Sequence, residues 1–287
     1  MSNLVNLEKI LEKKYNFHNM SSIRKRFKKV LPDSFVRIIT GFFYGWHGNY
    51  STWELASKKC SGYNENSILE KVKNSTYQVK NGIVPYERDS VLFDKIEFSY
   101  ELSTSLMWVA AINKGNLKVL DYGGSLGSSY YQNKIFLDTL NTLSWCIIEQ
   151  PNFVEVGNEF FADEKLHFFN SLEECLELHN VNIVILSSVL QYLENPYWVL
   201  NQINKANIKY VCIDRTPFIR GKDRITIQKV NPKIYEARYP CWFFNKLKFV
   251  NFFKNDYELI FEFDAIDNAN IKSEFKGFLF KKKETIY

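Results

Sequence analysis

Two features of the chain could do chemistry together. One is the stretch Asp121-Tyr122-Gly123-Gly124-Ser125-Leu126-Gly127-Ser128; the other is an acid 22 residues beyond Gly127, Glu149. The stretch follows an apolar run and opens a helical pattern. Backbone N–H groups and a helix dipole therefore converge on whatever binds at the strand's carboxyl end. Gly123, Gly124 and Gly127 carry no side chain to keep a bulky ligand from the turn. An acid about 20 residues past such a loop, at the end of the next strand, can accept hydrogen bonds from both hydroxyls of a ribose. Glu149, with Gln150 beside it, has that place. The pair points to a nucleotide-bearing ligand, and Asp121 is placed to receive a cationic group of it, directly or through water.

Further polar residues fall at the ends of later apolar runs. Asn170 follows Phe169, giving an amide and a ring for a base. Ser187 and Ser188 end another run, with Tyr192 just beyond, and Asp214 and Arg215 close the next. Arg215 could clamp a phosphate or carboxylate, or pair with Asp214 as scaffold. Glu87 and Arg88 are candidates for substrate contact. For removing a proton, His47 has the suitable pKa and Asp214 the best location; Asp89 and Asp223 are further acids on the same predicted rim.

These residues need a scaffold, and the rhythm from 117 onward supplies one. Strand-like runs at 117–123, 143–150, 165–169, 181–190 and 208–217 alternate with helical patterns of about a dozen residues, which predicts a parallel, doubly wound α/β sheet. Two last runs, 257–266 and 275–282, predict an antiparallel hairpin at the sheet's end. Residues 1–100 read as a helical cap and 101–287 as the ligand-binding domain. Within the cap, "SSIRKRFKKVLP" is a basic helix able to touch an anionic membrane surface weakly, and 41–55 is an aromatic loop. Helical patterns cover 66–79 and 91–114.

Composition narrows the class. The chain has 287 residues, 46% of them hydrophobic, with a net charge of +5. That is enough for a full core without metals or disulfides, and the charge is too slight and too spread for a nucleic-acid partner. Five scattered cysteines and four scattered histidines have no zinc spacing, so no metal is expected. No signal peptide or membrane-length apolar run is read, and the expected compartment is the cytoplasm. Nothing in the sequence speaks to oligomeric state.

The loop also matches the acidic-x-Gly-x-Gly-x-Gly pattern of methyltransferases at Asp121, Gly123 and Gly127, with Ser125 in place of the middle glycine. The chain resembles a family of S-adenosylmethionine-dependent methyltransferases found often in bacterial surface-polysaccharide gene clusters. The resemblance runs from about 41 to 265 and rests on "GYNENSIL", "YERDSVLFD", "VLDYGGSLGSSYYQ", "IIEQPNFVEVG", "LSSVLQYLENP", "IDRTPF", "DRITIQ" and "IYEARYPCWFF". It implies a class I, Rossmann-like fold, S-adenosylmethionine as cofactor, and a sugar or sugar-linked acceptor on a glycan precursor; a small metabolite fits the residues equally. Two other readings stand beside it. One is a non-catalytic module that keeps the fold. The other is a nicotinamide-dependent, sugar-modifying enzyme, whose Gly-x-Gly-x-x-Gly register the loop does not offer.

Overall fold

Side chains point alternately to opposite faces of a strand, so the continuous apolar runs from 117 onward bury both faces of their strands, and this decides the layering. In the computed structural model, which describes residues 44–60, 65–232 and 234–284, one unit spans Gly45–Tyr287. In chain order it begins with β1 (Gly45–Tyr50), α1 (Trp53–Ser57), α2 (Glu65–Lys80), β2 (Tyr86–Arg88), β3 (Val91–Phe93) and α3 (Tyr100–Ile112). Then come β4 (Asn116–Tyr122), α4 (Ser128–Leu137), β5 (Thr142–Ile148), α5 (Pro151–Phe160), β6 (Leu166–Phe169), α6 (Leu172–Leu178) and β7 (Ile183–Ser187). The last part holds α7 (Pro196–Lys205), β8 (Tyr210–Ile219), β9 (Arg224–Lys229), β10 (Arg238–Asn245), α8 (Lys246–Phe253), β11 (Tyr257–Asp264) and β12 (Glu274–Lys282).

Strands β6-β5-β4-β7-β8 are parallel neighbours in that order, and β12 lies antiparallel against β8 with β11 outside it. An antiparallel strand inserted beside the last parallel one separates this sheet from the all-parallel dinucleotide fold. It is the class I, Rossmann-like fold with a C-terminal antiparallel hairpin. Leu117, Val119, Trp145, Ile147, Ile183, Ile185 and Cys212 face α2, α3, α4 and α5. Leu120, Cys146, Val184, Leu186, Val211 and Ile213 face α6, α7 and α8. Helices thus cover both faces. An aromatic cluster of Phe218, Phe244, Phe249, Phe253, Phe278 and Phe280 closes the second.

Several local expectations are corrected. Residues 41–55 are not a loop throughout: Gly45–Tyr50 form β1, paired antiparallel with β9. The pattern over 91–114 breaks into β3 and α3, and β2 pairs with β3 in a separate hairpin. Over its described residues the segment 1–100 therefore mixes helix and strand. Strands β9 and β10, between β8 and the final hairpin, extend the sheet outward from the end of β8; no sequence rhythm announced them. The basic helix and its membrane contact lie outside the described residues. Among the described residues no helix is long and apolar enough to cross a membrane, and no cluster of potential metal ligands forms.

Candidate functional site

The glycine loop leaves β4 and turns into α4. Gly123 has φ +72°, and a Cβ there would lie 2.4 Å from the Val189 side chain. Both backbone conformation and packing against the loop after β7 demand glycine. Ser125 takes φ +55°, and Gly127, at φ +103°, is the cap residue of α4. At the end of β5, Glu149 reaches back to this turn. Its Oε1 accepts the Ser125 N–H at 3.0 Å and its Oε2 the Gln150 N–H at 3.0 Å. Each carboxylate oxygen can accept a second hydrogen bond, so half-buried Glu149 keeps acceptor capacity for two further donors. Burial raises its pKa, and the two N–H bonds oppose that rise.

Asp121, expected to meet a cationic group directly or through water, lies buried beneath the turn. It is 1% exposed, its carboxyl lies against Gly124, where a Cβ would come within 2.6 Å, and it accepts the Trp145 indole N–H at 3.3 Å. It supports the loop from beneath. Burial pushes its pKa up to about 7, against the Trp145 bond. Asn170 is exposed after β6, its N–H bound to Glu174 at 2.9 Å. The Phe169 ring belongs to the core on the α6 side.

A cleft of about 70 Å³ opens beside the carboxyl end of β7, the middle of β8 and the starts of α3 and α4; Tyr86, Arg88, Ser99, Ser128, Gln132, Ser187, Asp214 and Arg215 line it. Asp214 is 1% exposed. Its Oδ2 accepts the Ser187 and Ser99 hydroxyls at 3.3 and 3.4 Å, and its Oδ1 the Arg215 N–H at 2.8 Å. Burial lifts its pKa to about 6, with the Arg215 guanidinium and N–H holding it down. Ser99 is the cap residue of α3, yet its hydroxyl makes no cap bond and turns to Asp214 instead.

The Arg215 guanidinium makes no hydrogen bond to the Asp214 carboxylate and is held by two carboxylates from other loops. Its Nε and Nη2 bind Asp267 at 2.8 and 3.0 Å, and Nη2 binds Asp89 at 2.8 Å. Its backbone takes φ +52°, in the same region as Ser188 at φ +55°. The Gln191 amide ties these two corners together, donating at 3.1 Å to both the Ser188 hydroxyl and the Arg215 carbonyl. Glu87, a buried residue of β2, accepts the Ser128 hydroxyl and, at 3.1 Å, the Ser90 N–H; burial raises its pKa. Tyr192 donates to Gln228 at 2.7 Å and meets the Tyr239 ring edge-on.

The fold therefore brings Gly123, Gly124, Ser125, Gly127, Glu149 and Gln150 together, and sets Ser187, Asp214, Arg215 and Arg88 around the adjoining cleft. It does not bring His47 there: His47 sits on β1 opposite Ile227, and β9 and β10 stand between β1 and β8. Sequence reasoning missed Ser99, Gln132 and Asp267. Ser99 carried a usable signal as a serine opening a helix; Asp267, in an irregular loop, carried none.

No protein-family model and no curated protein matches the chain. Similar solved structures include the N-terminal domain of EvdMO1 in the presence of SAH and D-fucose, at 10% identity over 78% of this chain and 100% of that one, TM-score 0.44. The 1,6-didemethyltoxoflavin-N1-methyltransferase of Burkholderia thailandensis is 12% identical over 78% of this chain and 92% of its own, TM-score 0.39. Magnesium protoporphyrin IX methyltransferase of Synechocystis PCC 6803, with bound SAM, is 9% identical over 78% and 99%, TM-score 0.42. The fold assignment rests on the strand order of this chain.

Proposed function

We propose that the chain is an S-adenosylmethionine-dependent methyltransferase that methylates a hydroxyl of a sugar or sugar-linked group on a surface-glycan precursor. The observation that carries the reading is the junction of Glu149 with the glycine loop at 3.0 Å, one strand from the Asp214 cleft. A nucleotide's ribose hydroxyls would find the open acceptor positions of Glu149, and the turn at 123–127 would take the group attached to the ribose. The acceptor class comes from the sequence resemblance.

When bound, the sulfonium supplies a methyl group already activated for transfer. The protein must align a nucleophile with it, worth about 7–11 kcal/mol in favourable cases. Asp214 would take the hydroxyl proton, adding on the order of 10²–10⁴-fold. Ser99 and Ser187 hold its carboxylate, and a pKa near 6 leaves it ionised at neutral pH yet basic enough to act.

The test is calorimetric titration with S-adenosylmethionine, S-adenosylhomocysteine and NAD, beside a Glu149→Ala variant. Micromolar binding of the sulfur nucleotides alone, lost in the variant, is expected. No binding would overturn the reading in favour of a non-catalytic module, and binding of NAD alone would favour the nicotinamide-dependent one.

A further inference from the structure

The Arg215 guanidinium is held by two carboxylates, Asp267 across its Nε and Nη2 and Asp89 at Nη2. The Arg215 backbone is fixed in β8, with its carbonyl tied by Gln191. Asp267, which fills its Nε–Nη2 fork, stands on the irregular segment between β11 and β12. Two parallel N–H···O bonds from one guanidinium are the geometry by which arginine takes a carboxylate or phosphate. The same segment lends Ala265 and Ile266 to the cleft wall, so Asp267 enters the fork from the cleft's own rim.

A second arginine lines the same cleft, its guanidinium 5.2 Å from the centroid of the Phe93 ring. Arg88 bonds Glu97 through Nη2 at 3.3 Å, while its Nη1 is buried without a hydrogen-bond partner among the described residues. A buried N–H of this kind is a standing demand for an acceptor oxygen. Asp214, the neighbour of Arg215 in β8, lines the same cleft and accepts the Ser99 hydroxyl.

We propose that Arg215, with Arg88, binds a carboxylate or phosphate group carried by the acceptor, and that the Asp267 carboxylate holds the same seat in competition with it. The word acceptor rests on the methyltransferase reading; the anion site does not. The acceptor class is then a hydroxyl compound with an anionic substituent, such as a uronic acid or a sugar phosphate, its hydroxyl turned to Asp214. A tethered carboxylate competes at high effective concentration, so free anions bind the native chain weakly, and discrimination favours ligands that also use the rest of the cleft.

The experiment titrates the full chain at low ionic strength with glucuronate, glucose 6-phosphate, inorganic phosphate and glucose as the neutral control. It compares the native chain with Asp267→Asn, and with Asp267→Asn combined with Arg215→Lys or Arg215→Gln. Expected is a gain of tenfold or more in affinity for the anions in Asp267→Asn, none for glucose, and loss of the gain in both double variants. The lysine variant keeps the charge without the fork, and thermal melts identify which variants are folded. Glucuronate against glucose 6-phosphate separates carboxylate from phosphate; inorganic phosphate alone gaining would overturn the acceptor part of the proposal. No gain in Asp267→Asn, or a gain that survives loss of the fork, overturns the proposal entirely. S-adenosylhomocysteine affinity measured on the same samples keeps the two readings apart. Nucleotide binding without an anion gain sinks this inference alone, and an anion gain without nucleotide binding sinks the methyltransferase reading alone.

Discussion

Glu149 and Ser125 are 24 residues apart in the chain and 3.0 Å apart in space, carboxylate to backbone N–H. The bond fixes an acid from one strand end onto the glycine turn of its neighbour, so that the ends of β4 and β5 form one surface.

This relationship gives the first prediction. Hydrogen bonds to a charged group contribute about 1.5–3 kcal/mol, and about 1.4 kcal/mol is tenfold in affinity. Glu149→Gln keeps an oxygen for the Ser125 N–H while removing the charge. It should weaken S-adenosylhomocysteine binding roughly 10–100-fold by calorimetry, with little change in melting temperature. Unaltered affinity would show that the acid only braces the turn.

His47 and Asp214 separate cleanly. Methyl transfer, followed as S-adenosylhomocysteine release, should fall on the order of 10²–10⁴-fold in Asp214→Asn and stay within about twofold in His47→Gln, because β9 and β10 stand between β1 and β8. The rate of the native chain should fall as pH drops below about 6, where Asp214 takes up its proton. A large loss in His47→Gln, with cofactor affinity unchanged, would return the base role to the histidine.

Asp121 makes stability depend on pH. Its folded pKa, about 7, lies above the ordinary value of 3.8. The folded state therefore holds this proton more tightly than the unfolded chain, and the contribution to stability is greatest below pH 4 and is lost as pH rises through 7. Asp121→Asn, whose amide oxygen can still accept the Trp145 N–H, should raise the melting temperature at pH 8 more than at pH 4. An equal effect at both pH values would refute the linkage.

Phe249 is wholly buried against the rings of Phe218, Phe244, Phe253 and Phe278. Phe249→Ala should cost about 3–5 kcal/mol through lost transfer energy and a cavity, read from urea unfolding midpoints. A loss under about 1 kcal/mol would mean that the aromatic cluster collapses around the gap.

What the sequence determined by itself is local and periodic. Strand and helix alternation from 117, the turn at 123–127 and the acid of Glu149 were legible because each depends on residues close in the chain: side-chain period, glycine conformation, and a strand end one unit later. The antiparallel final hairpin was legible for the same reason. Long-range pairing decided the rest. His47 was favoured by its pKa and Asp214 by its strand-end position; that β1 pairs with β9, two strands out from β8, followed only from the fold. Asp121 had its type and position legible, but that Gly124 packs over its carboxyl and Trp145 bonds it followed only from the fold. Arg215 could have bound Asp214; two carboxylates brought from Asp89 and Asp267 claimed it instead. Neither lies near Arg215 in the chain, and no periodicity encodes which loop tips meet over a cleft, because that follows from the packing of every layer beneath them.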